Sequence, residues 1–224
     1  MTHSAVPVGL HLASASPRRR DLLRLGGWEF SLQSADVDET PRRGEAPQDV
    51  ARRLAEAKAT AARLPSAGLT LGADTIVVLD GAILGKPRDR NDARRMLHAL
   101  RGRTHRVLTG LALADGRGDV LASDVCTTDV PMRAYSDAQV ETYLDSGAPM
   151  DKAGAYGIQD DGFDPVEVSR MVGCYANVMG LPLCHVARAL AGLGRRSPVD
   201  VPQACRRHTG YACTVFPQIL GRES

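Results

Sequence analysis

Short apolar blocks alternate along the chain with stretches whose apolar positions recur every three or four residues, and the two rhythms predict alternating strands and helices. Residues 8–13 read as a buried strand, and Ser16-Pro17 opens a helix with Leu22, Leu23 and Leu25 on its inner side. Gly26-Gly27 stops that helix, 28–33 forms a second strand, and 34–46 is a polar loop. A second helix is predicted from about Pro47 to Arg63, with Val50, Leu54, Ala57 and Ala61 at helical spacing. Residues 69–79 are strand-like, and Asp80-Gly81 is a strong hairpin turn into 82–84. Asp89 caps a helix through Leu100, ended by Gly102. Strands near 104–114 and 119–133 flank the turn-rich 115–118, and Ser136 with Gln139 makes a capping box for a helix to Asp145. A Gly-rich loop over 146–165, a strand-like stretch and a last helix over 181–193 follow; from Arg195 the chain has several prolines and no clear period. Mixed elements of this kind mean an α/β protein.

Composition narrows the class. The 224 residues, 43% hydrophobic and 24% charged, suffice for one large domain or two small lobes and fit neither a disordered tail nor a membrane protein. The chain holds 25 arginines but only three lysines, Lys58, Lys86 and Lys152. A net charge of +2 and nine aromatic residues argue against a nucleic-acid platform, which needs a basic stripe or stacking rings. The short apolar stretch 6–13 lacks the basic flank of a signal peptide, and no apolar run approaches the ~20 residues of a membrane span. Five cysteines, an odd and scattered set, suit a reducing cytoplasm better than a disulfide framework. A cytoplasmic protein without membrane or nucleic-acid partners is expected.

Three stretches carry candidate chemistry. Ser14, Arg18 and Arg19 stand at a strand-to-helix junction, where free backbone N–H groups and the helix dipole attract anions; an ordinary capped helix with exposed arginines is the alternative. Asp74 interrupts an apolar strand, where a lone carboxylate costs several kcal/mol unless paired or metal-bound. Its small neighbours Gly72 and Ala73 would let a ligand approach closely, and a satisfied structural acid is the alternative. Gln159 ends a loop of small residues, and its amide, donor and acceptor together, suits the edge of a base, although such a stretch is usually plain surface loop. The run Gly81 to Pro87 is not a P-loop: the glycine spacing is one short, and Pro87 stands where a Ser or Thr is required.

Jointly these stretches resemble the Maf family of nucleoside triphosphate pyrophosphatases, also called septum-formation inhibitor proteins. The resemblance lies in LASASPRRRDLL at 12–23, GADTIVVLDGAILGKPRD at 72–89, DARRMLHALRGRTHRVLTG at 92–110, DKAGAYGIQ at 151–159 and NVMGLPL at 177–183, in family order. It implies a mixed twisted central sheet flanked by helices, with two lobes and an active-site cleft, spanning 1–194 and followed by a tail over 195–224. It further implies hydrolysis of a nucleoside triphosphate to the monophosphate and pyrophosphate with a divalent cation, Mg²⁺ or Mn²⁺, often in a homodimer. Carried over residue by residue, it makes Asp74 the catalytic acid and metal ligand, and gives phosphate to Ser14, Arg18, Arg19, Lys58 and Lys86. Asp38 or Glu39 would add a second carboxylate to the metal.

Within the family, the branch acting on dTTP and UTP carries Arg after the Ser-Pro, Thr after the catalytic Asp, and Gln in the Gly-Ile-Gln loop. Arg18, Thr75 and Gln159 match it, whereas the branch acting on 7-methyl-GTP has Trp and Gln at the first two places. Hydrolysis of dTTP and UTP is therefore expected; action on 7-methyl-GTP, or nucleotide sensing in division control with incidental hydrolysis, are the alternatives. The family commonly follows Gly-Ile-Gln with glycines, but here Asp160-Asp161 follow, with Asp164 beyond, acids that would repel phosphate or join the metal shell. In the tail, Cys205, His208 and Cys213 show only three zinc ligands, so a structural or dimer-packing tail is favoured over a zinc site.

Overall fold

A computed structural model describes residues 9–61 and 68–221. Strands β1 (Gly9–Ala13), β2 (Phe30–Leu32), β3 (Gly68–Leu79), β4 (Ala82–Leu84), β5 (Thr104–Asp115) and β6 (Val120–Pro131) build one mixed sheet. Its order is β2-β1-β3-β5-β6, with β4 paired to β3 alone. β1 runs parallel to β2 and β3, whereas β3, β5 and β6 are antiparallel. Helices α1 (Pro17–Leu25), α2 (Pro47–Ala61), α3 (Arg90–Leu100), α4 (Asp137–Asp145), α5 (Tyr175–Met179), α6 (Leu183–Gly192), α7 (Val201–Thr209) and α8 (Phe216–Leu220) surround it. The expected α/β class with a mixed sheet flanked by helices is what forms.

The two-residue period of β3 divides the core. Leu69, Leu71, Ala73, Val77 and Leu79 face the large cluster that also holds Leu22 and Leu23 of α1 and Leu97 and Leu100 of α3. Ile76 and Val78 face the other way, onto Val50 and Leu54 of α2. On that second face, glycines stand where the sheet comes closest to the backbone of α2. A Cβ at Gly72 would lie 2.2 Å from the Ala55 carbonyl oxygen, and one at Gly110 would lie 2.1 Å from that of Ala51. Gly72 therefore makes room for a helix backbone, correcting the expectation that it makes room for a ligand.

Asp80 (φ 51°) and Gly81 (φ 82°) both adopt the left-handed conformation that a two-residue hairpin with native twist requires. The capping box on Ser136 and Gln139 forms as expected. In α2 the buried positions are Val50, Ala51, Leu54, Ala55, Lys58 and Ala59. Ala57 is half-buried and Ala61 exposed, because the inward stripe of the helix runs through Lys58 and Ala59 instead. Arg63, the expected end of this helix, lies outside the described residues.

One expectation fails further on. The stretch after Pro165 is no strand: it makes single bridges to Asp129 of β6, from Val172, and to Met132 just beyond β6, from Val166, with a 3₁₀ turn over Val168–Arg170 between them. Gly173, at φ 134°, packs against Thr128 and turns the chain away. The segment from Arg195, where the sequence shows no clear period, contributes α7 and α8. Asp200 caps α7 through the Gln203 N–H, Pro202 occupies its first turn, and Gly210 ends it with φ 67°. Val201 and Ala204 are buried, and Tyr211 Oη donates to the Met171 carbonyl (3.1 Å). Among the described residues, no helix is long and apolar enough to cross a membrane.

Candidate active site

The sheet register leaves a gap at its centre. β1 pairs with β3 from Gly68 to Gly72 and β4 pairs with it from Val77 to Leu79, so among the described residues Ala73 to Ile76 have no strand partner on that side. The end of β1 feeds directly into α1 at the same level, through Ser14, Ala15 and Ser16. A cleft of about 570 Å³ opens here. On one side it is walled by α2 and the segment around Glu39, on the other by the α1 N-terminus and residues 151–159. The crevice thus lies beyond the carboxyl end of a parallel strand, where open α/β sheets place ligands.

Lys58 is the hinge of the site. It is buried on α2, and its Nζ donates to Asp74 Oδ1 (2.5 Å) and to Glu39 Oε1 (2.6 Å). Asp74 shares the sheet face of Gly72, and Gly110 lies opposite it in register, so the close seating of α2 is what brings the ammonium within reach. Burial pushes the Glu39 carboxyl up, but the Lys58 hydrogen bond and the charges of Lys58, Lys86 and Arg19 outweigh it, leaving the group below its ordinary value. The segment carrying Glu39 is clasped from below. Arg53 forks onto both oxygens of Glu45 (2.6 and 2.7 Å) and also donates to the Thr40 carbonyl (3.2 Å).

At the α1 terminus, Ser16 accepts from the Arg19 N–H and Ser14 Oγ accepts from the Ser16 N–H (3.2 Å). Arg19 donates through Nε to the Gly180 carbonyl (2.8 Å), through Nη2 to Thr75 Oγ1 (2.9 Å) and through Nη1 to Ser14 Oγ (3.4 Å). Desolvation lowers its pKa, opposed chiefly by Asp74. Thr75 in turn touches Thr109 (2.9 Å), which donates to the Asn177 carbonyl (3.1 Å). Arg18 donates to Asp151 Oδ2 (3.0 Å), and Lys86 stands exposed at the rim.

Of the residues expected from sequence, Ser14, Arg18, Arg19, Lys58, Asp74, Thr75, Lys86, Gln159 and Glu39 all line this one cleft. Asp38 does not: it is exposed and accepts from the Thr40 N–H (2.9 Å), because the chain turns there and sends only the next side chain inward. Lys152, to which no sequence motif gives a role, is buried and contacts the Ala148 carbonyl (2.5 Å), Asp151 (2.8 Å) and Asp160 (3.2 Å). Asp160 was expected to trouble phosphate or a metal. Instead its side chain turns behind the cleft wall, accepting from Tyr143 Oη (2.6 Å) and Gln159 Nε2 (2.8 Å). Asp164 is exposed and pairs with Arg133 (3.1 Å).

The donor set suits a hard divalent cation. Two carboxylates, Asp74 and Glu39, converge on one ammonium in a cleft that Arg18, Arg19 and Lys86 also line, and Mg²⁺ is commonly held by one or two carboxylates together with substrate phosphates. Among the described residues no cluster of three or more His, Cys, Asp or Glu side chains could hold a metal by itself. Cys205 and Cys213 line a small pocket with Cys174 and Cys184, while His208 is exposed.

The family model described as Maf-like protein matches residues 9–193, and the chain belongs to this family. It is 47% identical over 184 residues to a dTTP/UTP pyrophosphatase of Geotalea uraniireducens, covering 82% of this chain and 94% of the relative. It is 44% identical over 200 residues to a dTTP/UTP pyrophosphatase of Aromatoleum aromaticum, covering 83% and 95%. The solved structure of a HAM1 protein from Coxiella burnetii aligns with 96% of this chain and 95% of its own, at 16% identity and a TM-score of 0.45.

Proposed function

We propose that this protein hydrolyses dTTP and UTP to the monophosphate and pyrophosphate. The observation that carries the reading is the convergence of Asp74 and Glu39 on Lys58 within a cleft that also holds Arg18, Arg19 and Lys86. A triphosphate carries about four negative charges, and attack of water at its α-phosphorus shifts charge toward the departing pyrophosphate. Positioning and electrostatic stabilisation then do most of the catalysis. Arg18 and Arg19 offer guanidinium forks to phosphate oxygens, and Lys58 and Lys86 offer compact charges. Asp74 orients the attacking water and accepts its proton. A divalent cation held by Asp74 and Glu39 would screen the phosphate oxygens and lower the pKa of water.

For the base, Gln159 faces the carbonyl and N3–H edge that thymine and uracil share, with Thr75 and Arg18 completing the selectivity set. The names of the relatives at 44–47% identity agree with this substrate class. The family resemblance adds a homodimer, which light scattering on the purified protein tests. The activity is tested by a nucleotide panel with Mg²⁺ or Mn²⁺ that scores pyrophosphate against orthophosphate. Pyrophosphate release from dTTP and UTP is the expected result. Orthophosphate as first product, or 7-methyl-GTP exceeding both by about tenfold, sinks the proposal.

A further inference from the structure

Behind the cleft wall lies a buried polar unit that the reaction itself does not use. Asp160 Oδ2 accepts from Tyr143 Oη (2.6 Å) and lies 3.2 Å from Lys152 Nζ, while its Oδ1 accepts from Gln159 Nε2 (2.8 Å). Tyr143 Oη also accepts from the Gly157 N–H (3.1 Å), fixing the hydroxyl so that its proton points at Asp160. Lys152 is anchored in turn by the Ala148 carbonyl and by Asp151, the partner of Arg18. Gln159 lines the cleft and Asp160 does not.

A carboxylate accepts hydrogen bonds and gives none, so the side of the Gln159 amide that meets Asp160 must be its nitrogen. That choice sets the order of donor and acceptor on the edge left for a base. We propose that Asp160 is a specificity-determining positioning residue: it locks the flip of the Gln159 amide so that the site accepts uracil and thymine and rejects cytosine. The inference rests on the reading of Gln159 as the group that meets the base edge.

Uracil and thymine present a carbonyl oxygen beside N3–H, an acceptor followed by a donor. Cytosine presents an amino group beside a bare N3, the reverse order. A freely turning amide satisfies both by flipping. An amide pinned by Asp160 meets cytosine with donor against donor and acceptor against acceptor, leaving buried polar groups unpaired, the situation in which hydrogen-bonding sites discriminate strongly.

The Asp160→Asn variant makes the lock testable. Tyr143 and Lys152 both donate toward one side of residue 160, so an asparagine puts its carbonyl there and turns its amino group to Gln159. Gln159 must then flip and present the reverse order to the base. Rates of pyrophosphate release give kcat/KM for dTTP, UTP and dCTP in the wild type, Asp160→Asn, Asp160→Gly and Gln159→Ala. The wild type is expected to favour dTTP over dCTP by about tenfold or more. Asp160→Asn is expected to cut that ratio by at least about tenfold, with dCTP hydrolysis rising in absolute terms. Asp160→Gly, which fits any backbone conformation, removes the acceptor without reversing it and lowers the ratio by about fivefold. A loss of folding quality alone would lower all three substrates together and leave the ratio in place. If both Asp160 variants keep the wild-type ratio while Gln159→Ala abolishes it, the lock is overturned and the base-reading role of Gln159 stands. If Gln159→Ala also keeps the ratio, the role of Gln159 fails and the lock with it.

Discussion

The Lys58 ammonium sits 2.5 Å from Asp74 Oδ1 across the interface between α2 and β3, both side chains almost fully buried. A pair in that setting is mutually dependent, since removing one partner strands the other's charge away from water. Lys58→Met leaves Asp74 and Glu39 to face each other without their shared cation. It is expected to cost about 3–5 kcal/mol of folding stability, measured by urea denaturation, and to abolish turnover.

Asp74→Asn keeps the shape of the side chain and a hydrogen-bonding oxygen for Lys58. Turnover of dTTP should fall by about 10²–10⁴-fold, the range for removal of a general base, while dTTP affinity by calorimetry changes several-fold at most. Normal turnover by this variant would refute the assignment of Asp74.

Gly72→Ala tests the seating of α2. The added methyl meets the Ala55 carbonyl oxygen at 2.2 Å and the Ala59 nitrogen at 2.5 Å, both backbone atoms that no rotamer change can move aside. The helix must lift, costing about 1–3 kcal/mol and drawing Lys58 away from Asp74. Thermal melting and kcat should therefore fall together.

The clasp of Arg53 on Glu45 presents the segment bearing Glu39 without entering the cleft. Glu45 is held at a pKa of about 2, first by the Arg53 hydrogen bond and then by the Arg42 N–H, so the clasp persists across the physiological range. Glu45→Gln should lower kcat several-fold with little change in melting temperature, and raising the Mg²⁺ concentration should recover part of the loss. An unchanged kcat would show that Glu39 needs no such support.

His105 supplies a pH signature. It is buried against Tyr156 (2.8 Å), and desolvation drops its pKa from 6.5 to about 4. Between those values the unfolded chain binds a proton that the folded protein refuses, so stability rises with pH across that window. The contribution is complete above about pH 6.5 and is lost as the pH falls toward 4, on the order of 3 kcal/mol in all. Denaturation midpoints measured from pH 4 to 7 should follow this trend, and His105→Phe should flatten it.

Much of the site is legible in sequence because its parts are local. Ser14 to Arg19 announce a strand-to-helix junction, and Asp74 is conspicuous in an apolar strand. Lys58, named through the family resemblance, is legible by the same logic, since it occupies a position in the buried stripe of α2 where an apolar residue is expected. What escaped reading is long-range. Lys152 and Asp160 look like a surface loop until Tyr143, from a separate helix, supplies the third member of their cluster. At Gly72 the sequence shows close approach but not its partner, because no local pattern says whether a helix or a ligand fills the space. The helix α7 was hidden by its length of nine residues and its proline, although Asp200, Pro202 and Gly210 mark both ends.

The scarcity of lysine has a practical consequence. Lys58, Lys86 and Lys152 are the only lysines in the chain, and all three line the cleft. Two are buried in ion pairs, while Lys86 stands open at the rim. Elsewhere the protein carries its positive charge on guanidinium groups, which amine-directed reagents do not attack. Apart from the terminal amine, acylating chemistry that in most proteins peppers the whole surface is here confined to the mouth of one pocket, so a single-site tether, fluorophore or covalent inhibitor can be placed there without engineering the chain.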